Sequence, residues 1–581
     1  MEAKEISFKS IMQDEKELKI PFFQRQYVWK KTHWNRFFND LYESFNSEKE
    51  HFLGSIILKR SQGKDNFSKI IDGQQRLTTF SILIKAFYDE IDTSKKKYFD
   101  SCLFEDFNDN SPKIKHSKLD KEEYSKIFFQ SDSDNNDNIE NIKSGIIGCY
   151  NTFREKKKYF KSKDDIFEFM KFIATTKIFV AVCLNENEDE QKIFDSINST
   201  GEPLNATVII KNALFDKAIK EVEEEKADEL YKEYWEKVFE NSEKDRNFWN
   251  EKISVGRINR VRSEILLHAF AVMENFFNPD MHRMENLSSV YKDKIKSFNA
   301  EELKDFLSKI CNVAKEYYKL PRFNKKTLIN YEWQIRFFHI IDKTNTNTVL
   351  PLILFLNDKL KDNKESLKKC FYMLEILVLV NTKKKDYNKF FARLIRDISN
   401  NNLDIVNYIK QEIYEKYNKY LEPKAIKNKL YKMENNDAKL ILFWIELYLE
   451  CKEQNFKDKT IGLQYVYTLE HLMPQKWKSH WENIVDSNGK ILTNEKANEL
   501  IYQIGNMTLI KGGLNASIKN AEWEKKLNGD GKVKNYIRKN AELLINKELL
   551  DKKQWGEDSI TNRTTEMIKT FYCIWDLKIF N

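Results

Sequence analysis

Three short segments toward the C-terminal end of the chain carry side chains that together could hydrolyse a phosphodiester bond. Glu470 and His471 are adjacent, Asn506 follows 35 residues after His471, and Asn515 follows 44 residues after it. A histidine can deprotonate a water molecule in line with the phosphorus. A carboxylate and an amide oxygen suit a single Mg²⁺ or Mn²⁺ that lies against the scissile phosphate and the leaving oxygen.

This chemistry assigns each of the four residues a role. His471 is the predicted general base, and Glu470 and Asn515 are the predicted metal ligands. Asn506 is predicted to brace the loop that orients His471. An isolated Glu–His pair would more simply be an ordinary strand end, with asparagines in turns. The order and spacing of the whole set favour the nuclease, which would leave a 5′-phosphate and a 3′-hydroxyl.

Short strands are expected to position these residues. Apolar, β-prone residues at 465–469 and 507–510 predict two strands, and Pro474 is expected to stop the first one just after His471. From about 211 to 457 the spacing of apolar residues is that of amphipathic helices.

A second candidate site lies near the N-terminus, in the run Asp72-Gly73-Gln74-Gln75-Arg76. Strands are predicted at 52–58 and 69–71 and a helix at 77–91, so this run forms the turn at a helix start, where backbone N–H groups favour anions. Arg76 could bind a phosphate with two hydrogen bonds, Gln74 and Gln75 could add others, and Asp72 could hold a cation. An ordinary turn is the alternative. No Walker motif is present, which excludes a P-loop NTPase.

The C-terminal segments resemble a known family. The runs EHLMPQ and IGNMTLI, with Asn515 and then Asn520, Trp523 and Lys526, resemble the HNH domain of the GmrSD-type restriction endonucleases over about 465–527. In that family the histidine is the catalytic base and the same ordered asparagines serve the loop and the metal. Glu470 stands where some HNH enzymes carry Asp or His, which leaves the metal preference open.

The N-terminal segments resemble the GmrS-like domain of the same family over about 5–215. The resemblance rests on the runs IPFFQRQYVW, FLGSIIL, DGQQRLTT and FDSINSTGEPL. It implies a ParB/sulfiredoxin-like fold that binds and hydrolyses a nucleotide. The implied nucleotide-site residues are Asp72, Gly73, Gln74, Gln75 and Arg76, with Gln24 and Arg25 close by.

Composition sets limits on the class of protein. The 581 residues include 98 basic and 90 acidic ones, and the resulting charge of +8 permits nucleic-acid binding without demonstrating it. Seven scattered cysteines without a CxxC pair argue against a zinc knuckle or a disulfide scaffold. There is no apolar signal segment, and no apolar run approaches the roughly 20 residues that span a bilayer. A cytoplasmic enzyme without a membrane partner is expected.

The predicted fold class is a helix-rich α+β chain in three parts: a ParB/sulfiredoxin-like nucleotide-binding domain at 1–215, a helical coupling region at 216–455, and a ββα-metal (HNH) nuclease domain with C-terminal helices at 456–581. The predicted function is a modification-dependent, Type IV-like DNA endonuclease of anti-phage defence. It would be regulated by GTP or another NTP and would act on modified phage DNA.

One HNH site cuts one strand, so a homodimer or two nicks would be needed for a double-strand break. An RNA nuclease and a nucleotide-gated ParB-like DNA-binding protein without cleavage are the alternatives.

Overall fold

Six strands from the first 184 residues form one mixed sheet in the computed structural model. They are β1 (Glu2–Ile6), β2 (Glu17–Lys19), β3 (Gly54–Arg60), β4 (Phe67–Asp72), β5 (Ile114–Lys115) and β6 (Phe179–Leu184). Their order across the sheet is β1-β6-β3-β4-β2-β5. β3 is parallel to β6 and antiparallel to β4, so the two central strands bring the chain to Asp72 at the end of β4.

The structure describes residues 2–14, 17–24, 26–47, 51–60, 67–105, 111–129, 145–184, 205–255, 258–381, 386–401, 403–479, 481, 484, 486, 490–532 and 535–580.

The motif helix, Gln74–Tyr88, covers the sheet and forms the centre of the first core. Every side chain from Leu77 to Phe87 is buried, because the helix packs under the helix Gly145–Arg154 and, through Phe80, against Phe179 of β6. One face of this helix is polar, and its buried side chains Thr78, Ser81 and Lys85 form hydrogen bonds with His116, Tyr124 and Asp89. The first compact unit comprises residues 1–233 and 295–303.

Helices dominate the rest of the chain. In the first 230 residues the other α-helices are Phe8–Asp14, Lys31–Ser47, Thr93–Lys96, Asp100–Leu103, Lys118–Phe129, Lys163–Thr175, Ala206–Val222 and Glu224–Leu230, and Tyr231–Glu240 is a π-helix. Those that follow are Glu243–Asn250, Arg262–Met273, Leu287–Ile295, Ala300–Lys319, Trp333–Lys343, Leu350–Lys359, Lys364–Val380, Tyr387–Asn400, Ile405–Leu421, Pro423–Tyr431, Asn435–Glu453, Asn494–Ile501, Gly512–Ile518, Trp523–Asn528, Ile537–Asn540, Leu544–Lys547 and Glu557–Ile574.

The second compact unit comprises residues 234–294 and 304–581 and contains three two-stranded sheets. They pair β7 (Lys252–Val255) with β8 (Ile258–Val261), β9 (Leu328–Asn330) with β10 (Gly462–Gln464), and β11 (Thr468–His471) with β12 (Met507–Ile510). The expected helical stretch from 211 to 457 is therefore interrupted by three short strands. Each has only three or four residues, too few for alternation to stand out from the helical pattern around it.

The expectation of a helix-rich α+β chain is confirmed. The ParB/sulfiredoxin-like and ββα-metal folds, and the domain boundaries at 215 and 455, stay predictions. In the described ranges, no helix combines the length and the apolar character that crossing a bilayer requires.

The buried carboxyl group of Asp120 bonds the segment before the helix Lys31–Ser47 to the first core. Asp120 accepts a hydrogen bond from the backbone N–H of Tyr27 at 2.7 Å, and the Nδ1 atom of His116 lies 3.8 Å from its Oδ2. Burial raises the pKa of Asp120 to about 7, and the carboxylate of Glu123 adds to the rise. Burial lowers the pKa of His116 to about 3, so that this imidazole is neutral and cannot stabilise the ionised carboxylate.

We predict that Asp120 makes the first unit less stable as the pH rises from about 4 to about 7. Over that range the carboxyl group stays protonated in the folded chain and ionises in the unfolded chain. The unfolded state is therefore stabilised relative to the folded state. Asp120→Asn keeps a hydrogen-bond acceptor for the backbone N–H of Tyr27 and removes the loss of stability with rising pH. Thermal unfolding should therefore show a variant whose advantage over the wild type grows with pH and levels off above about 7.

Asp164→Asn, at an exposed carboxyl of the same unit, is the matched control and should show no such growth. An advantage of Asp120→Asn that stays constant between pH 4 and 8 would contradict the assignment of a raised pKa to Asp120.

Candidate functional site

Two antiparallel strands and the helix after them bring the C-terminal motif residues together. In the register of β11 and β12, Glu470 is opposite Thr508 and His471 is opposite Met507. The helix Gly512–Ile518, which carries Asn515, begins directly after β12. The order of elements is therefore strand, strand, helix. The strand predictions for both motif segments are confirmed, although β11 begins three residues later than expected.

The side-chain amide of Asn506 fixes the turn that follows β11. Its Oδ1 accepts hydrogen bonds from the backbone N–H of Met473 at 2.8 Å and from Nε1 of Trp555 at 3.0 Å. Its Nδ2 donates to the carbonyl oxygens of Met473 at 2.9 Å and Ile501 at 3.1 Å. Asn506 is fully buried, so these four bonds satisfy a group that would otherwise be costly to bury.

The C-terminal helix, Glu557–Ile574, packs directly on the backbone of this motif. Gly505 has no room for a side chain, since a Cβ atom would lie 2.3 Å from the carbonyl oxygen of Ile560 and 2.4 Å from Oγ1 of Thr564. Buried Arg563 donates from Nη1 to the carbonyl oxygens of Gly505 at 2.7 Å and Met507 at 2.8 Å. The glycine and the asparagine of the motif are thus both required by packing around the turn.

His471 ends β11 with its imidazole partly buried. Its ring lies edge-on to the ring of Tyr502, with 6.1 Å between centroids. Its Nε2 atom is buried and has no hydrogen-bond partner among the residues that the structure describes. Burial lowers the pKa of His471 to about 4, and the charge of Lys526 contributes to this. The imidazole is therefore neutral near pH 7, which is the state that can accept a proton.

Glu470 forms a buried ion pair with Lys526. The Nζ atom of Lys526, from the helix Trp523–Asn528, lies 2.5 Å from Oε1 of Glu470 and donates to the carbonyl oxygen of His471 at 2.9 Å. The lysine side chain is completely inaccessible to solvent. Burial raises the pKa of Glu470 and lowers that of Lys526, and in each case the attraction between the two charges opposes the shift.

Asn515 binds β11 through its amide nitrogen. Nδ2 donates to the carbonyl oxygen of Leu469 at 2.9 Å and to Oγ1 of Thr468 at 3.2 Å, so Oδ1 remains as the acceptor of this side chain. Alternate residues of a strand share a face, so Thr468, which Asn515 contacts, is on the face of Glu470. The structure thus brings the helix of Asn515 to β11, the strand that carries the predicted metal ligand Glu470.

These donors fit a divalent cation that keeps most of its coordination shell for phosphate and water. Glu470 and Asn515 would offer one carboxylate and one amide oxygen, the donor types that Mg²⁺ and Mn²⁺ prefer. No group of three or more His, Cys, Asp or Glu side chains arranged for a metal occurs in the described part of the chain. A cation here would have to share Glu470 with the ammonium group of Lys526 or displace it.

The N-terminal motif turns sharply between β4 and the motif helix. Gly73 has φ of 90°, and a Cβ atom there would lie 3.0 Å from Cγ1 of Ile56. Arg76 extends back toward Asp72, with 3.2 Å between Nη2 and Oδ2. It also covers Gly54, where a Cβ atom would lie 2.0 Å from Nη1 of Arg76. Both charged side chains remain about one fifth exposed, so an anion can reach the guanidinium group of Arg76.

The two glutamines of this motif differ in their surroundings. Gln75 is buried, accepts a hydrogen bond from the backbone N–H of Val28 at 2.9 Å and donates to the carbonyl oxygen of Gln26 at 3.3 Å. Gln75 therefore holds residues 26–28 against the motif helix. Gln74 is only partly buried.

The two residues predicted to lie close to this motif are Gln24 and Arg25. Gln24 is buried, and its backbone N–H donates to the carbonyl oxygen of Pro21 at 2.9 Å. Arg25 lies outside the described residues. The roles of all these residues toward a nucleotide stay predictions.

Sequence reasoning included Lys526 only as part of a resemblance and missed its contact with Glu470. It did not single out Trp555, Arg563 or Thr564, which surround Asn506 and Gly505. Their types and spacing carry no chemical motif, and only the approach of the C-terminal helix gives them their role.

We predict that Lys526→Met destabilises the second unit by about 3–5 kcal/mol, because it leaves the carboxylate of Glu470 buried without a partner. Combining it with Glu470→Leu should restore most of the loss, since both charges are then removed. Urea unfolding of the two single variants and the double variant measures this coupling. Lys525→Met, at the exposed neighbour, is the control; equal effects of Lys525→Met and Lys526→Met would contradict the buried ion pair.

Comparison with known families places both motif regions in one family. Residues 8–215 match the model of the GmrSD restriction endonuclease N-terminal domain, and residues 415–570 match that of the GmrSD restriction endonuclease C-terminal domain. A search of curated proteins gave no match. The two matched regions follow each other in one chain and together cover more than half of it. The chain therefore belongs to the GmrSD restriction endonuclease family.

Proposed function

We propose that the chain cleaves DNA at a one-metal HNH site formed by Glu470, His471 and Asn515. The observation that carries the proposal is the buried Nε2 of His471, which has no partner among the described residues and lies at the end of a strand that Asn515 also contacts. A buried imidazole nitrogen without a partner is costly to keep for packing alone. Family membership supports DNA as the substrate.

In this proposal the imidazole of His471 accepts the proton of the attacking water through Nε2. Its low pKa keeps it neutral near pH 7, so the base is in its active form before DNA binds. Asn506 holds the turn after β11 and thereby limits rotation of the strand end that carries the base. A Mg²⁺ or Mn²⁺ ion held by Glu470 and Asn515 would supply charge stabilisation at the phosphate and the leaving oxygen.

Lys526 has a positioning role in the same proposal. Its ammonium group is bonded to both the side chain of Glu470 and the backbone of His471, so it links the predicted metal ligand to the predicted base. Its positive charge also opposes the rise in the pKa of Glu470 that burial causes. A charged carboxylate is the form that binds a divalent cation.

The N-terminal motif is proposed to bind the phosphates of GTP or another NTP. Arg76 would exchange its contact with Asp72 for phosphate oxygens, and the backbone N–H groups at the start of the motif helix would add to the binding. We further propose that this unit hydrolyses the nucleotide, regulates cleavage and senses modified phage DNA, as expected for a Type IV-like defence enzyme. Breaking both strands would take two chains or two successive nicks.

His471→Ala should reduce the nicking of plasmid DNA in Mg²⁺ by about 10²–10⁴-fold, the usual contribution of a general base. The change removes the proton acceptor and leaves Asn506 and the ion pair in place. Initial rates of conversion from supercoiled to open-circular plasmid give the measurement, with modified and unmodified plasmid as separate substrates.

The matched control is His282→Ala, in the same unit, whose histidine accepts a backbone hydrogen bond within its own turn. This variant should cut as the wild type does. Nicking by His471→Ala within twofold of the wild type would contradict the proposed base. Cleavage of a matched RNA in place of DNA would instead favour an RNA nuclease with the same site.

Arg76→Ala should lower NTP hydrolysis by at least about tenfold, since a charge-assisted bond to phosphate is lost. Gly54→Ala should have a similar effect, because its Cβ atom would displace the guanidinium group and strain the backbone of β3, where φ is 119°. Phosphate release from GTP and ATP is the measurement, and circular dichroism reports whether the fold is kept.

Arg36→Ala, at an exposed arginine of the same unit, is the control. Phosphate release that is the same in Arg76→Ala, Arg36→Ala and the wild type would contradict the nucleotide site. Absence of phosphate release in the wild type, with its fold intact by circular dichroism, would contradict the proposed NTP hydrolysis.

A further inference from the structure

A cavity of about 590 Å³ lies in the second unit and belongs to neither motif. Its lining comes from the start of the helix Trp333–Lys343, the first turns of the helix Lys364–Val380, and the segment 456–461. This volume is in the range of about 300–1,000 Å³ that small-molecule sites occupy.

One side of the cavity is aromatic. Tyr331, Trp333, Tyr372 and Phe456 contribute to it. The rings of Tyr331 and Phe456 lie 5.9 Å apart, and Tyr448 packs against both, with centroid distances of 5.9 Å to Tyr331 and 5.6 Å to Phe456. These contacts hold the rings in fixed orientations, as a stacking surface for a flat ligand requires.

Phe456 is unusual in both exposure and backbone conformation. It is 48% exposed, and both Phe456 and the preceding Asn455 have positive φ, at 55° and 51°. A bulky residue rarely adopts this conformation, and the strain needs a compensating constraint. Here the strained backbone places a large apolar ring, partly exposed to water, beside the cavity.

A buried cation supports the aromatic side from within. The Nε atom of Arg336 donates to Oε1 of Glu375 at 2.6 Å, and Trp575 donates to the same oxygen. The guanidinium group lies 5.6 Å from the ring centre of Tyr331 and 5.7 Å from that of Tyr372. This network fixes both rings and leaves the charge of Arg336 balanced by Glu375.

Further charged side chains surround the cavity. Lys368, Lys369 and Lys459 line it and form no ion pair with any described residue. Glu332, Glu365 and Asp458 supply carboxylates. Ammonium groups suit phosphate oxygens, while carboxylates can accept hydrogen bonds from ring amino groups or sugar hydroxyls.

We propose that this cavity binds a nucleotide, through stacking of its base on the exposed ring of Phe456, beside Tyr331, and contact of its phosphate with Lys368, Lys369 or Lys459. The same chemistry is offered by a free nucleotide and by a nucleotide unstacked from DNA. The site is additional to the proposed nuclease centre and to the N-terminal motif, and it does not depend on either.

The position of the cavity connects it to the nuclease strands. Cys451, near the end of the helix Asn435–Glu453, lines the cavity, and the same helix packs against β11 and β12. Glu446 of that helix accepts hydrogen bonds from the backbone N–H groups of Leu544 at 2.7 Å and Ile545 at 2.9 Å. The lining segment 456–461 also leads through β10 into β11. A bound nucleotide would therefore contact the elements on which the strand of His471 rests.

Photocrosslinking of the full chain tests this proposal and identifies the source of the nucleotide. One arm uses 8-azido-ATP and 8-azido-GTP, and the other uses short duplex and single-stranded DNA carrying 5-iodouracil, each followed by peptide mapping. Crosslinks in the peptides that contain Tyr331 or Phe456 are expected in at least one arm. Crosslinks in the first arm indicate a free nucleotide, and crosslinks in the second arm indicate a nucleotide of DNA.

Phe456→Ala should reduce crosslinking to Tyr331 by about tenfold, because a stacking partner is lost. Tyr414→Ala, at a ring of the same unit that is also 48% exposed, is the control and should leave it unchanged. Arg76→Ala should also leave it unchanged, which separates this site from the N-terminal motif. The proposal is overturned if neither arm labels these peptides, or if Phe456→Ala and Tyr414→Ala label Tyr331 equally.

Discussion

The side chain of Asn506 is the contact on which the arrangement around His471 depends. One buried amide joins the turn after β11, the loop before β12 and the tryptophan at 555 by four hydrogen bonds. Only an amide offers the acceptor and the two donors that these partners require. Aspartate would lack the donors, and leucine would leave two backbone groups of Met473 unsatisfied in a buried position. The backbone at the end of β11, which includes His471, is therefore held in one conformation.

Burial of charge shapes the rest of this region. Lys526 and Glu470 are held together where solvent does not reach them, and Arg563 is buried against carbonyl oxygens on both sides of Asn506. Such groups add little net stability when compared with apolar packing, but each is costly to leave without its partner. The arrangement thus tolerates few alternatives, which is an advantage where a base and a metal ligand must keep a fixed separation.

The N-terminal motif follows a different principle. Its glutamine at 75 is used to hold the chain at 26–28, while Asp72 and Arg76 remain partly exposed and bonded to each other. Because solvent still reaches both side chains, water partly screens the attraction between them. The two partners can therefore be exchanged at small cost, as binding of a phosphate would require.

Spacing along the sequence was sufficient to predict the strands around His471 and Asn506, because a strand and the turn after it are set by neighbouring residues. The role of Asn506 in orienting His471 stays a prediction. The contact between Lys526 and Glu470 spans 56 positions, and that between Arg336 and Glu375 spans 39. Such pairs depend on how helices approach one another, which local pattern does not determine. The sequence also did not predict the positive φ of Phe456, because phenylalanine rarely adopts this conformation.

The rate of plasmid nicking by Asn506→Ala, measured in Mg²⁺ at a temperature where the variant is still folded, shows how far the end of β11 depends on this amide. If the buried amide positions the base, the rate should fall by about a hundredfold or more although His471, Glu470 and Asn515 are all present. A rate within twofold of the wild type would show that the end of β11 keeps its course without Asn506, and would contradict the account.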